Sequence, residues 1–144
     1  MRLGHTAKYA MQALAFLIRC HARDEWGQIA DIAETCHIPR KYLEQVLLDL
    51  KGAGLVESKK GQRGGYRLAR APHEISLAQA IAAVQGDLLP LPSWMNENDA
   101  NFSVEFGLRD VVQQAQTAVV KVFENASIEV LVCRPGGWAG IEIG

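Results

Sequence analysis

Over the first fifty positions, apolar residues recur three and four apart. Ala7, Ala10, Met11, Leu14, Leu17 and Ile18 mark the buried face of a first helix, with Thr6 as its expected cap. The stretch RDEWG at 23–27 ends it. Ile29, Ile32 and Ala33 then predict a short second helix, and CHIP at 36–39 is a tight connection. Pro39 suits the first turn of a third helix, which buries Leu43, Val46, Leu47 and Leu50 and stops at Gly54. Two helices of roughly eight and fourteen residues joined by a short turn outline a helix-turn-helix.

The pattern then changes period. LVESKK at 55–60 and YRLAR at 66–70 read as short strands, and GQRGG between them supplies glycines for a turn that needs positive φ. A hairpin directly after a recognition helix stands where a wing would stand. Helical spacing returns at Leu77, Ala80, Ile81 and Val84, opened by a capping box of Ser76 and Gln79 and closed at Gly86.

Residues 87–107 hold two prolines around a polar middle and read as a loop. A last helix is expected from about Ser103 to Glu124, roughly 30 Å long, with Leu108, Val111, Val112, Ala115, Val119 and Val122 as its apolar stripe. A small winged domain has little room to cover that stripe, so a second subunit is the expected partner. SIEVLV at 127–132 reads as a short closing element. The expected fold is mainly α with a small β-hairpin wing: a winged helix-turn-helix plus a long C-terminal dimerisation helix. Its divisions are a DNA-binding domain at 1–86, a loop at 87–102, the dimerisation helix and closing element at 103–132, and a tail at 133–144.

Charge sharpens this picture. The 144 residues carry a formal net charge of −1, but the sum hides an asymmetry. Residues 1–75 hold twelve Lys and Arg against eight Asp and Glu, whereas 76–144 hold three against eight. A basic front suits a polyanion. Lys59, Lys60, Arg63, Arg67 and Arg70 cluster on the hairpin, with Arg63 near its tip, where it could enter a minor groove. Gly64 and Gly65 would let the backbone pass close to sugar and phosphate. Arg40, Lys41, Tyr42 and Gln45 fall in the exposed first half of the third helix and suit a major groove. Lys8, Lys59, Lys60 and Arg67 are expected at phosphates.

Other chemistry finds little support. There is no P-loop, dinucleotide glycine motif or nucleophile signature, so no catalytic residues and no enzyme are expected. No apolar run is long enough to span a membrane, and three dispersed cysteines do not make a disulfide framework; a cytoplasmic location is expected. The four histidines lack metal-ligand spacing, so no metal site is expected. Cys36 precedes the recognition helix, and His37 and Arg40 could lower its pKa, which would make it a redox candidate. Cys20 suits the core, Cys133 could cross-link subunits if exposed, and Trp94 and Phe102 could line an effector pocket.

RLGHTAKYAMQAL, IADIAETCHIPRKYLEQVLLDLKGAGLV, GQRGGYRLAR and EISLAQAIAAVQG occur in this order. Together they resemble the IscR-type (Rrf-two family) winged helix-turn-helix transcription factors over about residues 2 to 132. The resemblance implies a DNA-binding regulator, most simply a repressor, that dimerises through the long helix and reads a pseudo-palindromic operator in double-stranded DNA. It places Pro39, Arg40, Lys41, Tyr42, Glu44 and Gln45 at the major groove, Gln62, Arg63, Gly64 and Gly65 at the minor groove, and Lys8 and Tyr9 at the backbone. Many members hold an iron–sulfur cluster on three cysteines of the loop before the long helix. Here residues 87–107 contain none, and Ser93 stands about where the first would be, so no cofactor is expected. Two alternatives stay open: an interaction adaptor whose DNA binding depends on an enzyme partner, and a sensor using Cys36 or atypical ligands such as His5 with acidic residues of 97–105. A small-molecule effector is compatible with each.

Overall fold

The computed structural model describes residues 1–92, Met95 and 105–132. Its elements run α1 (His5–Ala22), α2 (Ile29–Cys36), α3 (Arg40–Gly52), β1 (Val56–Lys59), β2 (Gly65–Leu68), a 3-10 turn (Pro72–Glu74), α4 (Leu77–Gln85), α5 (Glu105–Asn125) and a second 3-10 turn (Ile128–Val132). Leu14, Leu17, Ile32, Leu43, Leu47 and Leu50 lie fully buried where α1, α2 and α3 meet. These positions follow the predicted periodicity.

The helix ends show how the chain is cut into pieces. Thr6 does not cap α1; Gly4 holds that place, with no side-chain cap, and its carbonyl accepts from the Lys8 amide. Pro39 lies one position earlier than expected, as the N-cap of α3, and its carbonyl accepts from Tyr42 and Leu43. At the far end of α3, Gly54 adopts φ 75°. Its amide donates to Lys51 and that of Leu55 donates to Leu50, so two orphan carbonyls are satisfied while Leu50 and Leu55 bury together. The Ser76–Gln79 capping box is present with both bonds made, at 3.1 and 3.0 Å.

β1 and β2 pair antiparallel, Val56 opposite Leu68 and Lys59 opposite Gly65. A third partner was not legible in the sequence: Gly27, in the α1–α2 connection, exchanges backbone bonds of 2.7 and 2.8 Å with Tyr66.

The closing segment belongs to the same core. The Leu77 amide donates to the Ala126 carbonyl and the Ile128 amide to the Ile75 carbonyl, at 2.8 and 2.9 Å. Ile75 and Ile128 are both fully buried, in one cluster with Leu14 and Leu47. The core therefore crosses the boundary drawn at residue 86. Helix α5 begins, within the described residues, at Glu105; Ser103 lies outside them. Gln116 donates to the Leu89 carbonyl, and Val120 and Phe123 face the Ile81 and Ala82 side of α4.

Candidate nucleic-acid interface

Helix α3 turns about 100° per residue, so Leu43, Val46, Leu47 and Leu50 share the buried side while Lys41, Glu44, Gln45 and Leu48 share the opposite arc. All four of the latter are exposed. Two residues of this helix are held by neighbours one turn on. Arg40 pairs with Glu44 at 3.4 Å, and Gln45 donates to the Asp49 carboxylate at 3.0 Å. Both contacts are exposed, and an i,i+4 ion pair of this kind contributes about 0.3–0.5 kcal/mol, little enough to exchange for a base or a phosphate.

Tyr42 points to the side. Its ring stacks on Tyr9 of α1 at 6.0 Å between centroids, and Lys41 lies over it at 5.4 Å. His5 meets Tyr9 in turn at 6.3 Å. The ring series His5–Tyr9–Tyr42 ties the start of α1 to the start of α3, with exposed Lys8 beside it. Lys8, Tyr9, Lys41 and Tyr42 are thus brought together, while Pro39 serves as the cap beneath them.

The wing differs from expectation in detail. Gln62 and Arg63 are exposed in its turn, and Lys60 and Arg63 make no ion pair among the described residues. Arg67, expected at a phosphate, is already engaged. It pairs with Glu57 across the strands, and its guanidinium lies 4.3 Å from the centre of the Trp26 ring. Lys59 approaches the same ring at 5.8 Å. The two glycines also have an internal reason. A Cβ on Gly64 would collide with the Lys59 carbonyl, and one on Gly65, at φ 139°, with the Gly27 carbonyl. Their close approach is to the protein's own backbone.

Sequence reasoning missed the brace behind the wing. Gln28, the N-cap of α2, donates from Nε2 to the Gln62 carbonyl at 2.9 Å. Trp26, Gly27 and Gln28 together seat the hairpin against the helices. RDEWG was legible only as a helix break, because a bridge between distant positions leaves no periodic trace.

The redox candidate sits in a different environment from the one expected. Cys36 is half-buried, and its thiol donates to the Gln12 carbonyl at 3.6 Å. Burial pushes its pKa up, and the one charge pulling it down is Arg19, neither His37 nor Arg40. Cys20 is buried in the core as expected, its thiol also raised by burial, with Glu25 adding to the rise. Ser93, Trp94, Phe102 and Cys133 lie outside the described residues, as does most of the 97–105 loop.

Residues 3–134 match the sequence profile of the Rrf2 family, described as iron-dependent transcriptional regulators. The chain belongs to the Rrf2 family. It is 28% identical over 133 residues to the transcriptional regulator NsrR of Bacillus licheniformis, covering 92% of each chain. The regulator IscR of Aliivibrio salmonicida is 40% identical over 84 residues, 58% of this chain and 49% of that one. CymR, the global cysteine regulator of B. subtilis, has the same fold. Its structure superposes with a TM-score of 0.74 at 25% identity, over 91% of this chain and 95% of that one. The winged-helix architecture and a role as a DNA-binding transcriptional regulator follow, in a family that is not enzymatic. These relatives do not favour the adaptor reading. Among the described residues no helix is long and apolar enough to cross a membrane.

Among the described residues the family's iron would find a poor donor set. Clusters are held by thiolates, yet Cys20 and Cys36 sit in and beside the helical core with burial favouring the protonated thiol. Among the described residues no three His, Cys, Asp or Glu side chains come together to hold a metal ion.

Proposed function

We propose that this Rrf2 protein is a cytoplasmic homodimeric repressor that binds a pseudo-palindromic operator without an iron–sulfur cluster. The observation that carries the dimer is the outer face of α5. Leu108, Val111, Ala115, Ala118 and Val122 follow one another three and four residues apart and are all exposed, while Gln116, Val120 and Phe123 face the chain's own domain. Val112 and Val119, expected in the same stripe, lie half-buried at its edge. An alternating three–four spacing is the seam of a helix pair. Leu108, Val111 and Val122 remain 48, 62 and 47% exposed, and covering each fully would contribute up to about 1.5–3 kcal/mol.

A two-fold axis through α5 would present two α3 helices to one side. Half-sites about 34 Å apart would accept them in successive major grooves. Each wing would bring Lys60 and Arg63 to the flanking backbone and minor groove, with Lys8 at the phosphates. Repression then needs only occupancy of the promoter. Cluster-free action is supported by the absence of cysteine from 87–107 and by the burial of Cys20 and half-burial of Cys36, which raise both thiol pKa values.

The test is fluorescence anisotropy of reduced, metal-free protein on DNA from upstream of its own gene, against a scrambled duplex at matched salt, with sedimentation velocity alongside. Tight binding to the native duplex by a dimer is expected. Equal, salt-sensitive binding to both duplexes would mean that a missing ligand, partner or correct operator supplies the specificity, and would end the cluster-free reading if added iron and sulfide restored it.

A further inference from the structure

The arc of α3 opposite the core is polar and charged at Lys41, Glu44 and Gln45, but Leu48 lies among them. It is 54% exposed, outside the buried core cluster. Taking Lys41 as the origin, Glu44 falls about 60° to one side, Gln45 about 40° to the other, and Leu48 about 20° from it. Leu48 is therefore near the middle of the face, while Tyr42 and Asp49 lie towards one flank and Arg40 and Lys51 towards the other. Those flanking residues have partners within the protein: Tyr42 stacks on Tyr9, Asp49 accepts from Gln45, Arg40 pairs with Glu44, and Lys51 donates to Ser58 at 2.7 Å.

We propose that Leu48 is a specificity-determining residue that reads the C5-methyl group of a thymine in the major groove. The inference rests on the reading of α3 as the base-contacting helix. If that face enters the groove, its centre loses its water, and a leucine there has no hydrogen bond to offer. Among the groups that base pairs display on the major-groove floor, the thymine methyl is the apolar one. Guanine and adenine present acceptors, and cytosine and adenine present amino groups, all of which Leu48 would desolvate without replacing the water they lose. Lys41 and Gln45 beside it carry the polar readout, so each half-site should hold a thymine next to the base pairs they contact. A leucine at this position favours thymine by attraction and disfavours its competitors by desolvation.

The experiment removes one methyl group. Operator duplexes are selected from a random-sequence pool by the full-length protein, and each thymine in a half-site is then replaced singly by deoxyuridine. Wild type, Leu48→Ala and Leu48→Met are titrated by anisotropy, with low-salt binding to scrambled DNA as the check that each variant is folded. At one thymine per half-site, deoxyuridine should weaken wild-type binding about fourfold, the effect of one buried methyl group. Leu48→Ala should bind the thymine and uracil forms alike, and Leu48→Met should keep a preference for thymine. Wild type indifferent to uracil at every position would overturn the inference and point to a sugar contact instead. An undiminished thymine preference in Leu48→Ala would overturn it too, because another side chain would then be reading the methyl. Both results leave α3 as the reading helix. Selection that enriches no sequence would defeat that reading, and this inference with it.

Discussion

Helix α3 buries one side fully and α5 only half-buries its inner side among the described residues, and their outer faces have opposite chemistry. On α3 the outer arc carries Lys41, Glu44 and Gln45 around a single leucine. On α5 it is Leu108, Val111, Ala115, Ala118 and Val122. The inner faces differ in degree: Leu43, Val46, Leu47 and Leu50 are buried on α3, while Gln116, Val120 and Phe123 are half-buried on α5. On the proposed reading the outer face names the partner: cations and amides for a nucleic acid, an aliphatic seam for another helix. One face can be read in a single chain, whereas the other would be complete only in the proposed dimer.

The sharpest way to break the comparison is to give α5 the polarity of α3. Val111→Asp with Val122→Asp should leave the monomer folded, since both side chains are exposed, and abolish the dimer in sedimentation velocity. Operator affinity should fall by ~100-fold or more, because the two half-sites are no longer bound together. A variant that stays dimeric would move the interface elsewhere.

A wing that cannot seat comes next. Gly65→Ala adds a methyl group against the Gly27 carbonyl at a φ that alanine resists, and should cost about 1–3 kcal/mol in urea unfolding. Fluorescence of Trp26, with Trp94 and Trp138 replaced by phenylalanine, should report the displaced hairpin. Arg63→Ala, at the exposed turn, should leave stability unchanged and weaken specific binding by about 1–3 kcal/mol. Unchanged affinity would remove the wing from the interface.

Arg67→Ala should cost less binding than Arg63→Ala, for Arg67 is already committed to Glu57 and Trp26. Its loss should appear first in unfolding, at about 0.5–1 kcal/mol for the cation–π contact. The smallest effect is expected at Cys36. With burial raising its pKa, little thiolate forms near neutral pH, and alkylation should accelerate only above the pH at which an ordinary cysteine reacts. Operator binding by Cys36→Ser should match wild type within about twofold, with or without peroxide.

These expectations also mark how far the sequence could be read. The buried stripes of α1, α3 and α4, the Ser76–Gln79 box and the hairpin were legible because each is a local pattern with a fixed spacing. The engagement of Arg67 was not, since a cation in a basic hairpin looks the same whether it faces phosphate or an indole. Gly64 and Gly65 signalled that something comes close, but the sequence could not say that it is the carbonyls of Lys59 and Gly27. The Gly27–Tyr66 bridge and the Gln28–Gln62 bond join residues far apart along the chain, and no periodicity records them.

The seam between Ile75–Leu77 and Ala126–Ile128 has a consequence for the order in which the protein is made. The winged domain is encoded first, but its core holds Ile128, which leaves the ribosome after all of α5 has been synthesised. Until then Ile75 and its neighbours lack one side of their packing. A nascent chain would thus finish its DNA-reading half only after the helix proposed to pair two subunits is already in hand. Competence to bind DNA and competence to dimerise would then be acquired together, once Ile128 has left the ribosome.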